Sequence, residues 1–501
     1  MTLAKQVSTL VGGNVLSLIT AGMYDDPLAI YREYIQNSAD AISPVDPAGR
    51  VKIDIDPVAR SIRIRDNGPG LSRAEAVRAL VVVADSDKQP GIHRGFRGIG
   101  RLSGLACADS VVFRTRCRSR KRVTRIEWDG TVMRDRLLAR ASLENTIRDC
   151  VSVSSEDAGA YPEHFFEVEI LRVSRHVSGK LLNSAAVKDY VSEVCPVPIS
   201  VDFPLADEVT DYLRSYIPGP TLDIFVNGAK EPLRRLKHPV IAFSDTHHDA
   251  IADLETFQVP DIEGRRLSAV GWIAHSSYLG AIPKAHRLRG IRARSGDIQV
   301  GSDTVFDHLF REERFNRWSI GEVHVIDPRI LPNGHRTYFE SGPHIRNLEN
   351  HLAAVASDIS GRCRRHSSLR LRHRQMASKL ERAEQALDAA LKLVGSEPSA
   401  RDYAWRVLAA ETEAIRRVRA ELPSSQFSCS KVTGALSTME TKLSSWTDKL
   451  SLAGTQHSVA ISHSPDPWRL AFETLASACG SPAMALTAVQ QAFPIRAPDQ
   501  F

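Results

Sequence analysis

Two short runs, VKIDID starting at Val51 and SIRIRD starting at Ser61, alternate apolar with polar or charged residues across a link that contains Pro57. Alternation with period two marks a half-buried strand, and two such runs around a turn predict adjacent strands of a hairpin. The stretch ahead of them, YREYIQNSADAI from Tyr31 to Ile42, changes period. A helix there sets Glu33, Asn37 and Asp40 on one face and leaves Ile30, Tyr34 and Ala41 as an apolar side. Asp25, Asp26 and Pro27 read as its start, with Pro27 in the first turn. A carboxylate one turn from an amide suits the orientation of water beside a metal-bound phosphate, because the first can accept a proton and the second can offer a ligand oxygen.

The second strand runs into DNGPGL. Asp66, Asn67, Gly68 and Gly70 form a sharp turn at a strand end, where backbone can approach a ligand closely and the Asp66 side chain points from the sheet edge. A helix follows from about Ser72 to Ala84, with Ser72 and Glu75 in capping-box positions. The segment DSDKQPGIHRGFRGIGRLSGLACAD is polar and glycine-rich and hands over at Gly100 to residues suited to a helix. Gly95, Gly98 and Gly100 at a helix entry leave backbone N–H groups free, which with the helix dipole makes an anion site suited to phosphate. It is neither a P-loop nor a dinucleotide fingerprint, since both spacings are absent.

Taken in order, E-x-x-x-N-S-x-D-A at Glu33, D-N-G-x-G at Asp66 and G-F-R-G-I-G at Gly95 resemble the three nucleotide-binding motifs of the GHKL superfamily, named after gyrase, heat-shock chaperone, histidine kinase and MutL. The resemblance implies a Bergerat fold over residues 1–205, an α/β sandwich with a mixed sheet and helices on one face, binding ATP with Mg2+ beneath a mobile lid. By carry-over Glu33 is the general base for the attacking water, Asn37 ligates magnesium, and Asp66 accepts the adenine amino group while Gly68 and Gly70 give the base room. Gly95, Gly98, Ile99 and Gly100 belong to the phosphate cradle, Lys88 or Arg101 adds positive charge nearby, and Asp40 supports the pocket. Histidine kinases lack a water-activating carboxylate at the position of Glu33, so hydrolysis is the implied reaction. GFRG looks most like MutL, whereas Ile99-Gly100 stands closer to heat-shock chaperones and MORC ATPases.

Residues 206–345 carry short strands, among them TLDIFVNG, LSAVGWIAHS and GEVHVIDP, which predict an α+β second domain. GIRARSGDIQVG and RILPNGHRTYFE resemble parts of the middle, transducer domain of heat-shock chaperones. RILPNGHRTYFE is similar to the loop of that family that sends an arginine into the nucleotide pocket of the same chain, which makes Arg336 the other catalytic candidate, ahead of Arg294 and Lys284. A guanidinium at the γ-phosphate is worth about a thousandfold in rate in well-studied cases. Residues 346–501 read as mostly helical, a region for dimerisation or partner binding, with a basic stretch GRCRRHSSLRLRHR. That stretch and the turn Arg118–Arg122 could meet nucleic-acid phosphates or form solvated surface.

Composition narrows the classes. A net charge of +6 over 501 residues permits acidic partners without requiring them. Seven cysteines with no C-x-x-C pair argue against a disulfide framework and a structural zinc site. The opening MTLAKQVSTLVGGN is unlike a secretory leader, and no run approaches the roughly 18 apolar residues of a membrane span, so a cytoplasmic protein is expected. The overall expectation is an ATP-hydrolysing, nucleotide-gated homodimeric clamp of chaperone-like type, acting on a protein client or an operon partner. The alternatives are a MORC- or MutL-like clamp on DNA in genome or antiviral defence, and a nucleotide-gated binding module with little turnover.

Overall fold

The structure is a computed structural model that describes residues 26–42, 49–82, 100–118, 120–159, 161–217, 222–393, 398–421 and 430–452. The chain divides into two compact units, Met1–Leu369 and Arg370–Phe501. The first unit opens with α1 (Ala29–Ile42), β1 (Arg50–Asp56), β2 (Ser61–Asp66) and α2 (Arg73–Val81), then a 3-10 helix at Gly100–Ala106. After β3 (Ala108–Arg116) and β4 (Arg122–Asp129) come α3 (Gly130–Leu138), α4 (Leu143–Cys150), β5 (Val151–Asp157) and β6 (Phe165–Val173). Helices α5 (Arg175–Leu181), α6 (Ser184–Val194) and α7 (Ala206–Arg214) precede β7 (Asp223–Val226).

These strands form one sheet in the order β5-β4-β3-β6-β2-β1-β7, antiparallel throughout except for the parallel pair β1 and β7. The hairpin is in the register the alternation demands: Ile53 lies opposite Ile64, and Val51, Ile53, Ile55, Ile62 and Ile64 are all buried. Their common face packs on Tyr31, Tyr34 and Ile35 of α1 and on Leu181, Val187 and Val191 of α5 and α6. The other face carries a ladder of opposite charges. Arg63 meets Glu169 at 2.6 Å, Arg65 meets Glu167 at 2.7 Å, and Arg114 holds both Glu167 and Glu169. Cross-strand pairs of this kind suit the solvent side of a sheet covered on one face.

Local chemistry explains the element boundaries. Ser72 and Glu75 form the expected capping box at the start of α2. Helices α5 and α6 are separate because Asn183 stops the first and caps the second, its Oδ1 accepting from Ala185 N at 3.0 Å and Ala186 N at 3.1 Å. The strand TLDIFVNG, read with the second domain, adds to the first sheet instead as β7. Period-two alternation marks a strand but cannot say which sheet will take it, and the free edge of β1 does.

A second sheet follows, built from β10 (Asp253–Pro260), β11 (Leu267–His275), β12 (Gly290–Ser295), β13 (Ile298–Val300) and β14 (Ile320–Val325) in the order β10-β11-β14-β12-β13, with a separate hairpin of β8 (Val240–Ser244) and β9 (His247–Ala250). Alternate residues of β11 enter two different cores. Ala269 and Ile273 pack with Ile345, Leu348, Leu352, Ala356 and Ile359 of the long helix α8 (Pro343–Leu393). Val270, Trp272 and Ala274 pack with Phe203, Val209 and Leu213 on the side of α7. Covering both faces is why this sheet reads as near-continuous apolar runs.

In the second unit, α9 (Pro398–Glu421) and α10 (Ser430–Leu452) accompany the end of α8. Leu436, Met439, Leu443 and Trp446 recur at three and four spacings and are buried, and Arg419 pairs with Glu440 at 2.6 Å. The helices read from the sequence near Val15 and beyond Leu452 lie outside the described residues. Among the described residues no helix is long and apolar enough to cross a membrane.

Candidate nucleotide site

The site begins with how α1 is held. Asp26 Oδ1 accepts from Leu28 N at 2.9 Å beside Pro27, which starts the helix, and Tyr31 donates its hydroxyl to Leu181 O at 2.7 Å. Tyr34 OH donates to Arg101 O at 3.0 Å and accepts from Gly104 N at 3.1 Å. Two buried tyrosines thus fix the rotation of α1 and leave the Glu33, Asn37 and Asp40 row facing away from the core. Glu33 is buried, while Asn37 and Asp40 are half-buried.

Glu33 lies between two guanidiniums. Its Oε1 is 3.5 Å from Arg32 Nε and 3.4 Å from Arg336 Nε, and it accepts no hydrogen bond from either. Arg336 arrives from far along the chain on a tight loop. Asn333 Oδ1 accepts from Thr337 N, the isolated bridge of Pro332 and Phe339 closes the loop base, and Arg336 sits at the tip with φ of 54°, a left-handed conformation uncommon outside glycine. Its carbonyl accepts from Gly301 N at 2.8 Å, which anchors the tip to the second sheet. The structure therefore brings the two catalytic candidates together. The runner-up Arg294 donates instead to Glu322, Asp297 O and Glu193 O, and Lys284 sits exposed in a 3-10 turn.

Gly100 meets Glu33 from the other side, since a Cβ there would overlap Glu33 Oε2. Arg101 is placed differently from the phosphate-side charge expected of it. Its guanidinium donates to Ala79 O and to Val82 O, the latter at 2.8 Å, at the C-terminal end of α2, where cations suit the helix dipole. Lys88, Gly95, Gly98 and Ile99 lie outside the described residues.

Asp66 ends β2 almost wholly buried. Its carboxylate accepts from Ser38 Oγ at 2.8 Å and from Gly68 N at 2.9 Å. Burial nevertheless pushes its pKa up to about 6, against the lowering pull of those two donors, Phe166 N and His164. His164 Nδ1 contacts Gly68 O at 2.8 Å, so the DNG turn is pinned from both flanks. Gly70 has φ of 69°, and a Cβ there would run into Arg116 O and Phe165 O. Its glycine is required by the approach of β3 and β6. Thr115 Oγ1 ties the same loop down by accepting from Leu71 N at 2.8 Å. Ser38, His164 and Arg32 were not singled out by sequence. Ser38 falls inside the N-S-x-D-A motif, which was the available signal for it.

Among the described residues no cluster of three His, Cys, Asp or Glu side chains could hold a metal.

Residues 29–158 match the family described as histidine kinase-, DNA gyrase B- and HSP90-like ATPase. The chain carries a GHKL-type ATPase domain. Chaperone protein HtpG of Coxiella burnetii is 31% identical over 147 residues, a match covering 23% of this chain and 22% of that one. HtpG of Psychrobacter arcticus is 28% identical over 144 residues with the same coverage, and HtpG of Halorhodospira halophila 26% over 141. The chain thus spans about a fifth of the length of the curated relatives it matches. The likeness is to the ATPase domain of those chaperones; GHKL ATPases as a family bind ATP, typically with Mg2+, and generally hydrolyse it.

Proposed function

We propose that the protein binds and hydrolyses ATP and uses the cycle to open and close a homodimeric clamp around a protein client. The observation that carries this is the meeting of Glu33, Arg336 and Gly100 from three separate parts of the chain, beside a buried Asp66 already arranged as an acceptor. Asp66 takes the adenine amino group through its ionised carboxylate, with Gly68 close to the base. Asn37 offers its side-chain oxygen to magnesium, with Asp40 alongside, and Lys88 with the Gly95, Gly98, Ile99 and Gly100 loop cradles the phosphates. The magnesium ion neutralises charge on the phosphate oxygens when bound.

Both guanidiniums, of Arg32 and Arg336, lie against the same Glu33 oxygen. The γ-phosphate is the stronger anion for Arg336, so ATP draws it off Glu33, and the freed carboxylate accepts the proton of the water that attacks phosphorus as the bond to the β-phosphate oxygen breaks. Binding energy is thereby coupled to the position of the Arg336 loop and, through Gly301, to the second sheet. In this reading residues 1–205 bind nucleotide, 206–345 relay its state and 346–501 hold the dimer. The pairing of Arg63, Arg65, Arg114 and Arg125 with glutamates on the sheet face favours a protein client over DNA.

The test is ATP turnover of the wild type beside Glu33→Ala, with ADP binding measured beside Asp66→Asn. Turnover should fall by about a hundredfold to ten-thousandfold in Glu33→Ala while ADP binding is retained, and Asp66→Asn should lose ADP. A Glu33→Ala protein with full turnover would falsify the catalytic assignment.

A further inference from the structure

A cleft of about 330 Å³ opens between α6 and the segments around Arg235 and Arg287. Three carboxylates line it, Asp189, Glu193 and Glu322. Six cations face them: Arg234, Arg235, Lys237, Arg287, Arg292 and Arg294. Some of this charge is already used. Arg287 pairs with Asp189 at 2.9 Å and Glu193 at 2.8 Å, Arg292 with Glu193, and Arg294 with Glu322 at 2.6 Å, while Asp297 and Asp223 behind the wall take Arg235 and Arg234.

What remains is donor capacity without acceptors. Lys237 forms no ion pair among the described residues, and Nε of Arg235 and of Arg292, both on side chains more than nine-tenths buried, meet no hydrogen-bond acceptor. Guanidinium N–H groups buried without an acceptor are left with their desolvation uncompensated. Two imidazoles complete the wall, His238 and His286, their rings 4.5 Å apart edge to face. His286 Nε2 donates to Ala242 O at 2.7 Å, so its buried Nδ1 carries a lone pair, and that atom has no partner either. Burial, His286 and Lys237 together hold the His238 pKa below its usual value.

We propose that this cleft is a second ligand site, which takes the phosphate group of a small phosphorylated molecule. A carboxylate offers two oxygens, and the cleft already contains three carboxylates. A phosphate brings three oxygens and up to two charges to Lys237, Arg235 and Arg292, and a P–OH or sugar hydroxyl donates to His286 Nδ1. The volume sits at the small end of ligand pockets, which start near 300 Å³. The walls come from α6, whose Glu193 is tied to Arg287 and Arg292, and from β12 and β14 of the second sheet, so an anion here competes with Glu193 for its arginines.

The test is calorimetric titration of the full-length chain with inorganic phosphate, ribose 5-phosphate and ribose, with and without saturating ADP, and with the His238 and His286 ring protons followed by NMR. Phosphate or its ester should bind in the presence of ADP, ribose should not, and the His238 pKa should rise on saturation. Lys237→Glu, an exposed substitution expected to fold, should weaken binding at least about tenfold, and His286→Ala should weaken the ester. Equal affinity for phosphate and ester supports a site that reads the anion alone. Binding abolished by ADP, unchanged in Lys237→Glu, or absent up to about 10 mM overturns the proposal. The outcome is independent of Asp66→Asn, which tests the nucleotide site.

Discussion

Two buried carboxylates in the first unit each face a pair of guanidiniums, and they are held in different ways. Glu322 on β14 is 2.6 Å from Arg294 Nε and 3.3 Å from Arg235, with His324 at 3.1 Å, and its pKa is well below the usual range because those cations outweigh its desolvation. Glu33 stands 3.4 and 3.5 Å from its two guanidiniums with one oxygen unsatisfied. In the first, both carboxylate oxygens accept hydrogen bonds. The second is open, and the missing hydrogen bonds are what a ligand can supply. On the proposal above, the looser geometry is what leaves Glu33 open to a water molecule.

The comparison breaks most sharply on Arg336. Arg336→Ala should lower ATP turnover by about a thousandfold and leave ADP affinity within a fewfold of wild type, since the guanidinium acts on charge that develops at the γ-phosphate. Turnover unchanged in that variant would make the Glu33 contact a structural pair like that of Glu322. Glu322→Ala should do the reverse. It strands Arg294 and Arg235 in the core, and urea unfolding should show a loss of about 3–5 kcal/mol, with any activity change following from that loss.

The two regions also differ in what sequence could reveal. The hairpin, the capping box at Ser72 and the row on α1 are local patterns with fixed periods, and they are legible. The placement of β7 and the Arg101 clamp on α2 are tertiary facts, and nothing within a few residues of each announces them, whereas Ser38 at least falls inside a motif. Arg294 shows the limit well. Within GIRARSGDIQVG it reads as a runner-up to Arg336 at the phosphate, yet its guanidinium is almost wholly buried and engaged by Glu322 and two carbonyls. The arginine-lined cleft beside it has walls from four separate segments, which no spacing within the chain could bring together.

pH separates the carboxylates by sign. Glu322, with its pKa lowered, contributes stability that is present above the ordinary carboxylate range and is lost progressively as pH falls from that range through its depressed value. Asp66 has its pKa raised to about 6, so its protonated form favours folding at low pH, and that contribution is lost as pH rises from about 4 through 6. In the proposed site nucleotide binding runs the other way, because the ionised form is the stronger acceptor for the adenine amino hydrogen. ADP affinity should fall about tenfold per pH unit below about 6 in the wild type, and calorimetry at pH 5 and 7 checks it. A flat profile across that range would remove Asp66 from the adenine site.

The smallest expected effect is the sharpest test of how Asp66 is tuned. Ser38 Oγ donates to Asp66 Oδ2 at 2.8 Å, and a hydrogen bond to a carboxylate favours its ionised form. Removing the donor in Ser38→Ala leaves burial less opposed, so the carboxyl should titrate higher, by about one pH unit for a charged hydrogen bond of ordinary strength. The midpoint of the pH dependence of ADP binding should move up by the same amount, while affinity at pH 8 changes little because Asp66 is ionised in both proteins there. If instead affinity drops equally at every pH, Ser38 touches the nucleotide directly and does not act through Asp66. If neither the midpoint nor the affinity moves, the donors that hold Asp66 ionised are Gly68 N and Phe166 N, and the N-S-x-D-A serine serves only to join α1 to the end of β2.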